Sequence, residues 1–213
     1  MAVRELDLYK NRYWLQSNWT IVDFYWNVIS VERQQAIIEV VSNLPITPLI
    51  PNIIDSIRYS AVTIISSETW SWKTSQVSKH ALKELVLPDK GKIVVTEPRI
   101  ITAAEWARRV SEEKLIETGD PNYSLWHRIW YKTSREWENY RKTQLLFVTE
   151  WLQLVRSALN GIIPDVLIID EIHNFSSDVE FLLMLVREYM MFNENKVKLI
   201  LMSATLDEDR LSS

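Results

Sequence analysis

The sequence predicts an α/β protein with a mostly parallel sheet and helices on both faces, and two observations support this prediction. Short apolar runs rich in β-branched residues recur along the chain, and segments of helical length separate them. Strands that alternate with helices pair in parallel, because each helix carries the chain back across the sheet. Ligands of such sheets bind beyond the carboxyl ends of the strands, so functional residues are sought there.

Five runs have the length and composition of buried strands, and helical segments lie between them. The strands are expected at 61–66 (AVTIIS), 92–96 (KIVVT), 144–148 (QLLFV), 165–170 (DVLIID) and 197–202 (VKLILM). The helices are expected at 73–86, 103–114, 150–159 and 177–192. A polar excursion over 117–141 is expected to carry one short strand near 127–131.

The sequence divides into two parts of different character. Residues 1–43 are expected to form an N-terminal extension that is helical around 31–41, and residues 44–213 are expected to form the α/β domain.

The whole chain has 213 residues, no cysteine and a net charge of −4. The lack of cysteine excludes disulfides and thiolate metal sites. The net charge means that a nucleic-acid partner would be bound by a local basic stripe rather than by a positive overall field.

No part of the sequence predicts a membrane segment. The N-terminus lacks an apolar signal segment, and no run approaches the roughly 18 apolar residues of a membrane span. We therefore expect a cytoplasmic protein without a membrane partner.

Two residue counts are unusual for an α/β protein, because the chain has 3 glycines and 10 tryptophans. Average glycine usage is about 7%, so roughly fifteen glycines are expected, and parallel sheets need them in their turns. The two counts taken together come close to that expected number. The composition therefore raises the suspicion that tryptophan stands at glycine positions.

The segment after the first predicted strand has the features of a phosphate-binding loop. It ends in Lys73-Thr74 at the start of a helix, where backbone N–H groups, a lysine and a hydroxyl can surround a polyphosphate and its Mg²⁺. Both glycines of the motif G-x-x-x-x-G-K-[ST] are replaced, by Ser67 and Trp72. Trp72 is the severe departure, since the backbone there needs torsions that only glycine adopts at little cost. A strand-to-helix turn that binds no ligand is the alternative.

Two further strand ends carry polar groups. Asp170 and Glu171 follow an apolar strand, an arrangement that holds Mg²⁺ through the first acid and polarises a water with the second. A solvated strand cap is the alternative. Ser203 and Thr205 follow the last strand, where their hydroxyls can relay the state of a nucleotide site, or simply form a turn.

Taken in order, five segments resemble the motifs of the DEAH/DExH-box ATP-dependent RNA helicases, over about 44–207. The segments are Glu68-Thr69-x-Ser71-x-Lys73-Thr74, Thr96-Glu97-Pro98-Arg99, Phe147-Val148-Thr149-Glu150, Asp170-Glu171-Ile172-His173 and Ser203-Ala204-Thr205. Five ordered motifs are far more specific than any one of them. The resemblance implies the first of two RecA-like P-loop NTPase domains, which binds ATP with Mg²⁺ and contacts single-stranded RNA or DNA. The second RecA-like domain is then expected outside this chain.

The resemblance also implies a role for each matching residue. The loop Ser67, Glu68, Thr69, Trp70, Ser71, Trp72, Lys73 and Thr74 would bind ATP. Thr74 and Asp170 would hold Mg²⁺, and Glu171 would orient the attacking water. His173, Ser203 and Thr205 would couple hydrolysis to movement of the second domain. Arg99 and Thr149 would contact the nucleic-acid backbone.

Trp70, Trp72 and Trp151 stand where the motifs of this family carry glycine. We hypothesise that the gene reads the codon UGA as glycine and was translated with a table that reads it as tryptophan. A natural degenerate protein and a deliberately substituted one are the alternatives. If Trp72 is real, no measurable ATP binding is expected.

Two other functions remain open from the sequence. One is a catalytically inactive nucleic-acid-binding module with a degenerate phosphate loop, although the retained Lys73-Thr74 and Asp170-Glu171 pairs disfavour it. The other is a different parallel-sheet ATPase, such as a DNA translocase or a restriction-system motor.

Overall fold

The computed structural model describes residues 28–67, 72–85, 91–125, 127–132, 142–174, 176–193 and 197–204. The strands in these ranges are β1 Val62–Ser66, β2 Ile93–Glu97, β3 Ile129–Tyr131, β4 Leu145–Thr149, β5 Val166–Ile169 and β6 Lys198–Ser203. The α-helices are α1 Val31–Ser42, α2 Ile50–Tyr59, α3 Lys73–Glu84, α4 Ile100–Thr118, α5 Glu150–Asn160 and α6 Ser177–Phe192. Short 3₁₀ helices lie at 47–49, 121–123 and 172–174.

The six strands form one parallel sheet in the order β1-β6-β5-β2-β4-β3. All carboxyl ends therefore meet at one edge. Ser66 is opposite Ser203 at the end of β1 and β6, and Glu97 is opposite Thr149 at the end of β2 and β4. The prediction of a mostly parallel α/β sheet is confirmed.

Alternate strand residues face two separate cores, which is why the central strands are apolar throughout. On one face, Val95 and Phe147 pack with Val77 of α3 and Val110 of α4. Helix α2 packs on the same face. The opposite face packs against α6, for example at Leu182. Helices thus cover both faces, as the sequence predicted.

Capping residues determine several of the helix ends. Ser176 begins α6 by accepting a hydrogen bond from the backbone N–H of Val179 at 3.2 Å, a usual serine cap. Gly119 and Gly161 end α4 and α5 in the left-handed region, with φ of 65° and 62°. A side chain at either position would be strained.

The structure differs from the sequence prediction in one helix and in several boundaries. Helix α2 is not among the helices expected from the sequence. Pro51 lies in the first turn of α2, where proline is tolerated, and Ile54 and Ile57 behind it are buried. Helix α4 extends beyond the predicted 103–114 at both ends.

The predicted N-terminal extension is described only from residue 28 onward, where helix α1 lies. Among the described helices none is by itself long and apolar enough to cross a membrane. The pair 31–42 and 47–59, bent by 61°, meets the criteria on length and composition alone.

Candidate functional site

Lys73 lies at the carboxyl edge of the sheet between β1 and β6. Its side chain is buried, and Nζ donates hydrogen bonds to the carbonyl oxygens of Ser67 at 2.5 Å and Ser203 at 3.0 Å. Burial lowers the pKa of Lys73, while the charges of Asp170 and Glu171 raise it. Both hydrogen-bond acceptors of the Lys73 ammonium are uncharged carbonyl oxygens. An anion such as phosphate would therefore be a favourable neighbour for it.

Thr74 and Asp170 form the second part of the same site. Thr74 is in the first turn of α3 and its hydroxyl donates to Oδ2 of Asp170, which follows β5. Oδ1 of Asp170 accepts the backbone N–H of Glu171 at 2.8 Å. Asp170 is 2% exposed, and burial raises its pKa, against the opposing effect of the Thr74 hydrogen bond.

A hydroxyl and a buried carboxylate are hard oxygen donors of the kind that Mg²⁺ prefers. Within the described ranges, no group of three or more His, Asp or Glu side chains could hold a metal ion by itself. Mg²⁺ usually takes one or two protein carboxylates and completes its shell with water and phosphate oxygens. Thr74 and Asp170 therefore fit a magnesium ion that arrives with a nucleotide.

Glu171, His173 and Ser203 form a connected group beside Asp170. Oε2 of Glu171 is 3.2 Å from Nε2 of His173, and Nδ1 of the same ring is 3.4 Å from the Ser203 hydroxyl. The side chains of Glu171 and His173 are 29% and 32% exposed, so water reaches both. Glu171 has φ of 52°, a conformation that L-residues rarely adopt and that clusters at functional sites.

Trp72 precedes α3 in the left-handed region, with φ of 58° and ψ of 31°. Among the described non-glycine residues only Trp72 and Glu171 have positive φ. The indole lies 6.0 Å from the ring of Trp106 at an interplanar angle of 82°, and the Arg109 guanidinium is 4.2 Å from its ring centroid. The left-handed backbone costs a tryptophan about 1–2 kcal/mol and a glycine almost nothing.

The loop between Ser67 and Trp72 is only partly described. Ser67 follows β1, and its backbone N–H donates to the carbonyl oxygen of Ser203 at 3.2 Å. The predicted nucleotide-binding residues Glu68, Thr69, Trp70 and Ser71 lie outside the described residues, as does the predicted coupling residue Thr205.

The predicted nucleic-acid contacts lie along the same edge of the sheet, toward β4. Arg99 is exposed and directly precedes α4. Thr149 is partly exposed and caps α5 by accepting the N–H of Leu152 at 3.4 Å. Because β2 and β4 are neighbours in the sheet, Arg99 and Thr149 lie on adjacent strand-to-helix turns.

Sequence reasoning missed a buried polar network between α3 and α4. Glu113 of α4 accepts hydrogen bonds from Lys79 at 3.0 Å, from Gln76 at 2.8 Å and from Arg109 at 2.7 Å. Lys79 also pairs with Glu117 at 2.6 Å. The side chains of Lys79 and Glu113 are each 1% exposed, so the network fixes α3 against α4 and with it the position of Lys73.

Glu97 is the second residue that was missed as part of the site. It ends β2, is 2% exposed, and its Oε1 has no hydrogen-bond partner among the described residues. Burial raises the pKa of Glu97 well above its usual range, and the charges of Asp170 and Glu171 raise it further. Its position at a strand end next to the strand of Asp170 is the signal that could have identified it.

The amino-acid sequence of the chain is similar to those of known proteins. Residues 48–212 match the family described as "DEAD/DEAH box helicase". The chain is 35% identical over 170 residues to a probable ATP-dependent RNA helicase spindle-E of Culex quinquefasciatus, covering 78% of the chain and 12% of that protein. It is 30% identical over 218 residues to the DExH-box ATP-dependent RNA helicase DExH2 of Arabidopsis thaliana, covering 96% and 13%.

A third relative is the ATP-dependent RNA helicase DHX29 of Mus musculus, which is 31% identical over 190 residues, with 86% of the chain and 14% of that protein covered. The chain thus spans 12–14% of the length of these curated relatives. Three observations agree on one family. They are the parallel sheet, the match over most of the chain, and the pairs Lys73-Thr74 and Asp170-Glu171 at the edge of the sheet. The chain belongs to the DEAD/DEAH box helicase family.

Proposed function

We propose that the chain is the nucleotide-binding part of an ATP-dependent RNA helicase, in which ATP hydrolysis with Mg²⁺ drives movement along a single strand or its unwinding. The observation that carries this proposal is the meeting of Lys73, Thr74 and Asp170 at the carboxyl edge of the sheet. The three relatives are named as ATP-dependent RNA helicases, which supports the proposed substrate. We expect the protein to act in the cytoplasm.

Each residue has a role that follows from its surroundings. Lys73 would neutralise the β and γ phosphates, and its buried ammonium supports this because its hydrogen-bond acceptors are uncharged carbonyls. Thr74 and Asp170 would hold Mg²⁺, which neutralises charge on the phosphates when bound. Glu171 would orient the attacking water and accept its proton, and its partly exposed carboxylate supports this role.

Coupling to movement is assigned to the group around His173. His173 contacts both Glu171 and Ser203, so its ring can report a change at the water-orienting carboxylate to the end of β6. Thr205, beyond Ser203, would continue this path. A second RecA-like domain would receive the signal and supply the arginines that complete hydrolysis.

The nucleic-acid strand would lie along the turns that carry Arg99 and Thr149. An exposed guanidinium and a hydroxyl at a helix N-terminus bind backbone phosphates without reading sequence. Such contacts serve single-stranded RNA or DNA equally, and the names of the relatives favour RNA.

We further propose that the working protein has glycine at positions 70, 72 and 151. The left-handed backbone at position 72 supports this, since glycine is the residue that adopts it at least cost. Trp151 is 59% exposed at the start of α5, so the fold does not require its ring. Reading the codons at these positions is the direct test: UGA supports glycine through recoding, and UGG at 72 contradicts it there.

The function is tested by measuring binding of a fluorescent ATP analogue with Mg²⁺. The chain with tryptophan at 70 and 72 should show no measurable binding, and the variant with Trp70→Gly and Trp72→Gly should bind. In that variant, Asp170→Asn should abolish the dependence on Mg²⁺, and Asp55→Asn, an exposed acid far along the chain, should not. Tight binding by the tryptophan protein, or none by the glycine variant, would contradict the proposal.

One observation favours a second function for a chain that truly has tryptophan at 72. The Trp72 ring packs edge-to-face against Trp106 and under the Arg109 guanidinium, both on α4, so a tryptophan protein can fold while its phosphate loop is blocked. Such a protein would be an inactive nucleic-acid-binding module. It would bind single-stranded RNA with an affinity that ATP and Mg²⁺ leave unchanged.

A further inference from the structure

Glu150 is a buried carboxylate for which the proposed mechanism has no use. It begins α5, is 6% exposed, and its Oε2 accepts a hydrogen bond from the Ser176 hydroxyl at 2.6 Å. Oε1 is buried without a hydrogen-bond partner among the described residues. Burial of an acid with one unsatisfied oxygen is costly, so a position that keeps one needs a reason.

Ser176 joins Glu150 to the segment that follows β5. One hydroxyl makes two contacts, since Oγ accepts the backbone N–H of Val179 at the start of α6 and donates to Glu150. Ser176 comes three residues after His173, beyond the 3₁₀ helix at 172–174. A displacement of Ser176 therefore moves the start of α6 and the turn that holds His173.

At its other end the contact reaches the predicted nucleic-acid edge. Glu150 directly follows Thr149, the cap of α5. Strands β4 and β5, which lead into α5 and toward α6, are not neighbours, because β2 lies between them. The Glu150–Ser176 hydrogen bond thus spans the central strand and joins two turns that the sheet itself keeps apart. Helices α5 and α6 pack against each other behind it.

We propose that Glu150 is a positioning residue that transmits binding of a nucleic-acid backbone at Thr149, through Ser176, to the turn that holds His173. The inference rests on the proposed function. A phosphate bound by Thr149 at the N-terminus of α5 would restrain the first turn of that helix, including Glu150. Because Ser176 donates a hydrogen bond to Glu150, the restraint on Glu150 also restrains Ser176 and the start of α6. Binding at one turn then tightens the other.

The test measures amide hydrogen exchange at 170–180 with and without a saturating single-stranded RNA oligonucleotide, and without nucleotide. The reference protein carries Trp70→Gly, Trp72→Gly and Trp151→Gly. RNA should slow exchange in this segment about fivefold in the reference, which is the lower end of usual coupling between sites. The slowing should disappear in Glu150→Ala and in Ser176→Asp, and it should remain in Glu150→Gln, whose amide oxygen still accepts the hydrogen bond.

Ser176→Asp separates coupling from folding, because aspartate caps a helix as well as serine does but places a second acceptor against Glu150. Ser30→Asp is the matched control, since exposed Ser30 caps α1 and its hydroxyl contacts Glu32 rather than Glu150. It should leave the RNA response unchanged.

Three outcomes would overturn the inference. The first is a full RNA response in Glu150→Ala or Ser176→Asp. The second is a response that Glu150→Gln loses as completely as Glu150→Ala does. The third is a reference that binds RNA without any slowing at 170–180, which leaves the proposed function intact. A reference that binds neither RNA nor the ATP analogue overturns the proposed function, and the inference with it.

Discussion

The two ends of the carboxyl edge of the sheet are built differently. Toward β1, β6 and β5, the predicted nucleotide residues Lys73, Thr74 and Asp170 are buried and hydrogen-bonded to one another or to backbone. Toward β2 and β4, Arg99 is exposed and Thr149 partly exposed, with the hydroxyl contact of Thr149 made inside its own helix. The side chains of the first end are held by contacts within the protein, whereas the second end presents side chains to solvent.

This difference follows from the chemistry proposed for each end. Phosphoryl transfer needs fixed distances in a site from which water is largely excluded, so burial strengthens each electrostatic contact. Backbone recognition of a single strand needs charge at a surface, and its strength depends on salt more than on geometry. Substitutions at the buried end should therefore have large and specific effects, and substitutions at the exposed end small and salt-dependent ones.

The largest effect is expected from Glu113→Ala, beneath the buried end. The substitution leaves Lys79, Gln76 and Arg109 without their shared acceptor, and breaking a buried charge pair costs about 3–5 kcal/mol. Urea unfolding should show that loss of stability. The control is Glu112→Ala on the same helix, whose salt bridge to Arg33 is at the surface and should be worth about 1 kcal/mol or less. Equal losses of stability in the two variants would contradict a special contribution from the buried network.

Lys73→Ala should have the next largest effect, in the protein with glycine at 70 and 72. Removing the buried ammonium should weaken binding of the ATP analogue by about a hundredfold, equivalent to about 2.7 kcal/mol. Single-stranded RNA affinity without nucleotide should stay within about twofold, as expected for sites without direct contact. Titration of both ligands checks this. Lys83→Ala, an exposed lysine on the same helix, is the control and should change neither affinity.

Arg99→Ala should act on the exposed end alone. RNA affinity should fall by about tenfold and the slope of log affinity against log salt should decrease by about one, because one phosphate contact is lost. Binding of the ATP analogue should not change. A salt series with a fluorescent oligonucleotide measures both quantities, and Arg187→Ala, exposed on α6, serves as the control. An unchanged slope would remove Arg99 from the interface.

The smallest effect is expected from Glu97→Gln, between the two ends. The pKa of Glu97 is raised in the folded protein, so the folded state holds its proton more tightly than the unfolded state does. Its contribution to stability is therefore complete below its ordinary pKa of 4.5 and is lost as pH rises through the raised value. At the alkaline end of this range Glu97→Gln should raise the melting temperature by about 2–4 °C, as about 1 kcal/mol does in a domain of this size.

The pH dependence of that effect distinguishes it from ordinary repacking. The melting temperatures of Glu97→Gln and the parent should converge as pH falls toward 4.5. Glu105→Gln, exposed on α4, should match the parent at every pH. A stabilisation by Glu97→Gln that is constant with pH would contradict the assignment to a buried proton.

Most of the fold could be predicted because its signals are local. The strand at 166–169 is a continuous apolar run, and helix 177–192 begins and ends where its pattern and serine cap indicate. The meeting of Lys73 with Asp170 followed from parallel strand ends, since that topology brings them to one edge. The left-handed backbone at position 72 agrees with the rule that a phosphate loop has glycine before its lysine, and the residue identity there stays a prediction.

The network of Lys79 and Glu113 could not be predicted in the same way. The two residues are 34 positions apart and meet because α3 packs against α4 at these positions. The hydrophobic periodicity of each helix does not predict which residues of the two helices come into contact. The same holds for Glu150 and Ser176. They follow β4 and β5, and these strands are separated in the sheet by β2. Pairs of this kind depend on how helices pack, so they emerge only from the folded chain.

The contact of Trp72 with Trp106 has a spectroscopic consequence. Two indoles whose centroids are 6.0 Å apart at nearly right angles couple their electronic transitions. Such a pair should give adjacent positive and negative bands in the circular dichroism spectrum of the folded chain. Trp72→Gly should erase these bands while the helical signal remains. The optical spectrum of an unlabelled protein can thus report which residue stands before Lys73.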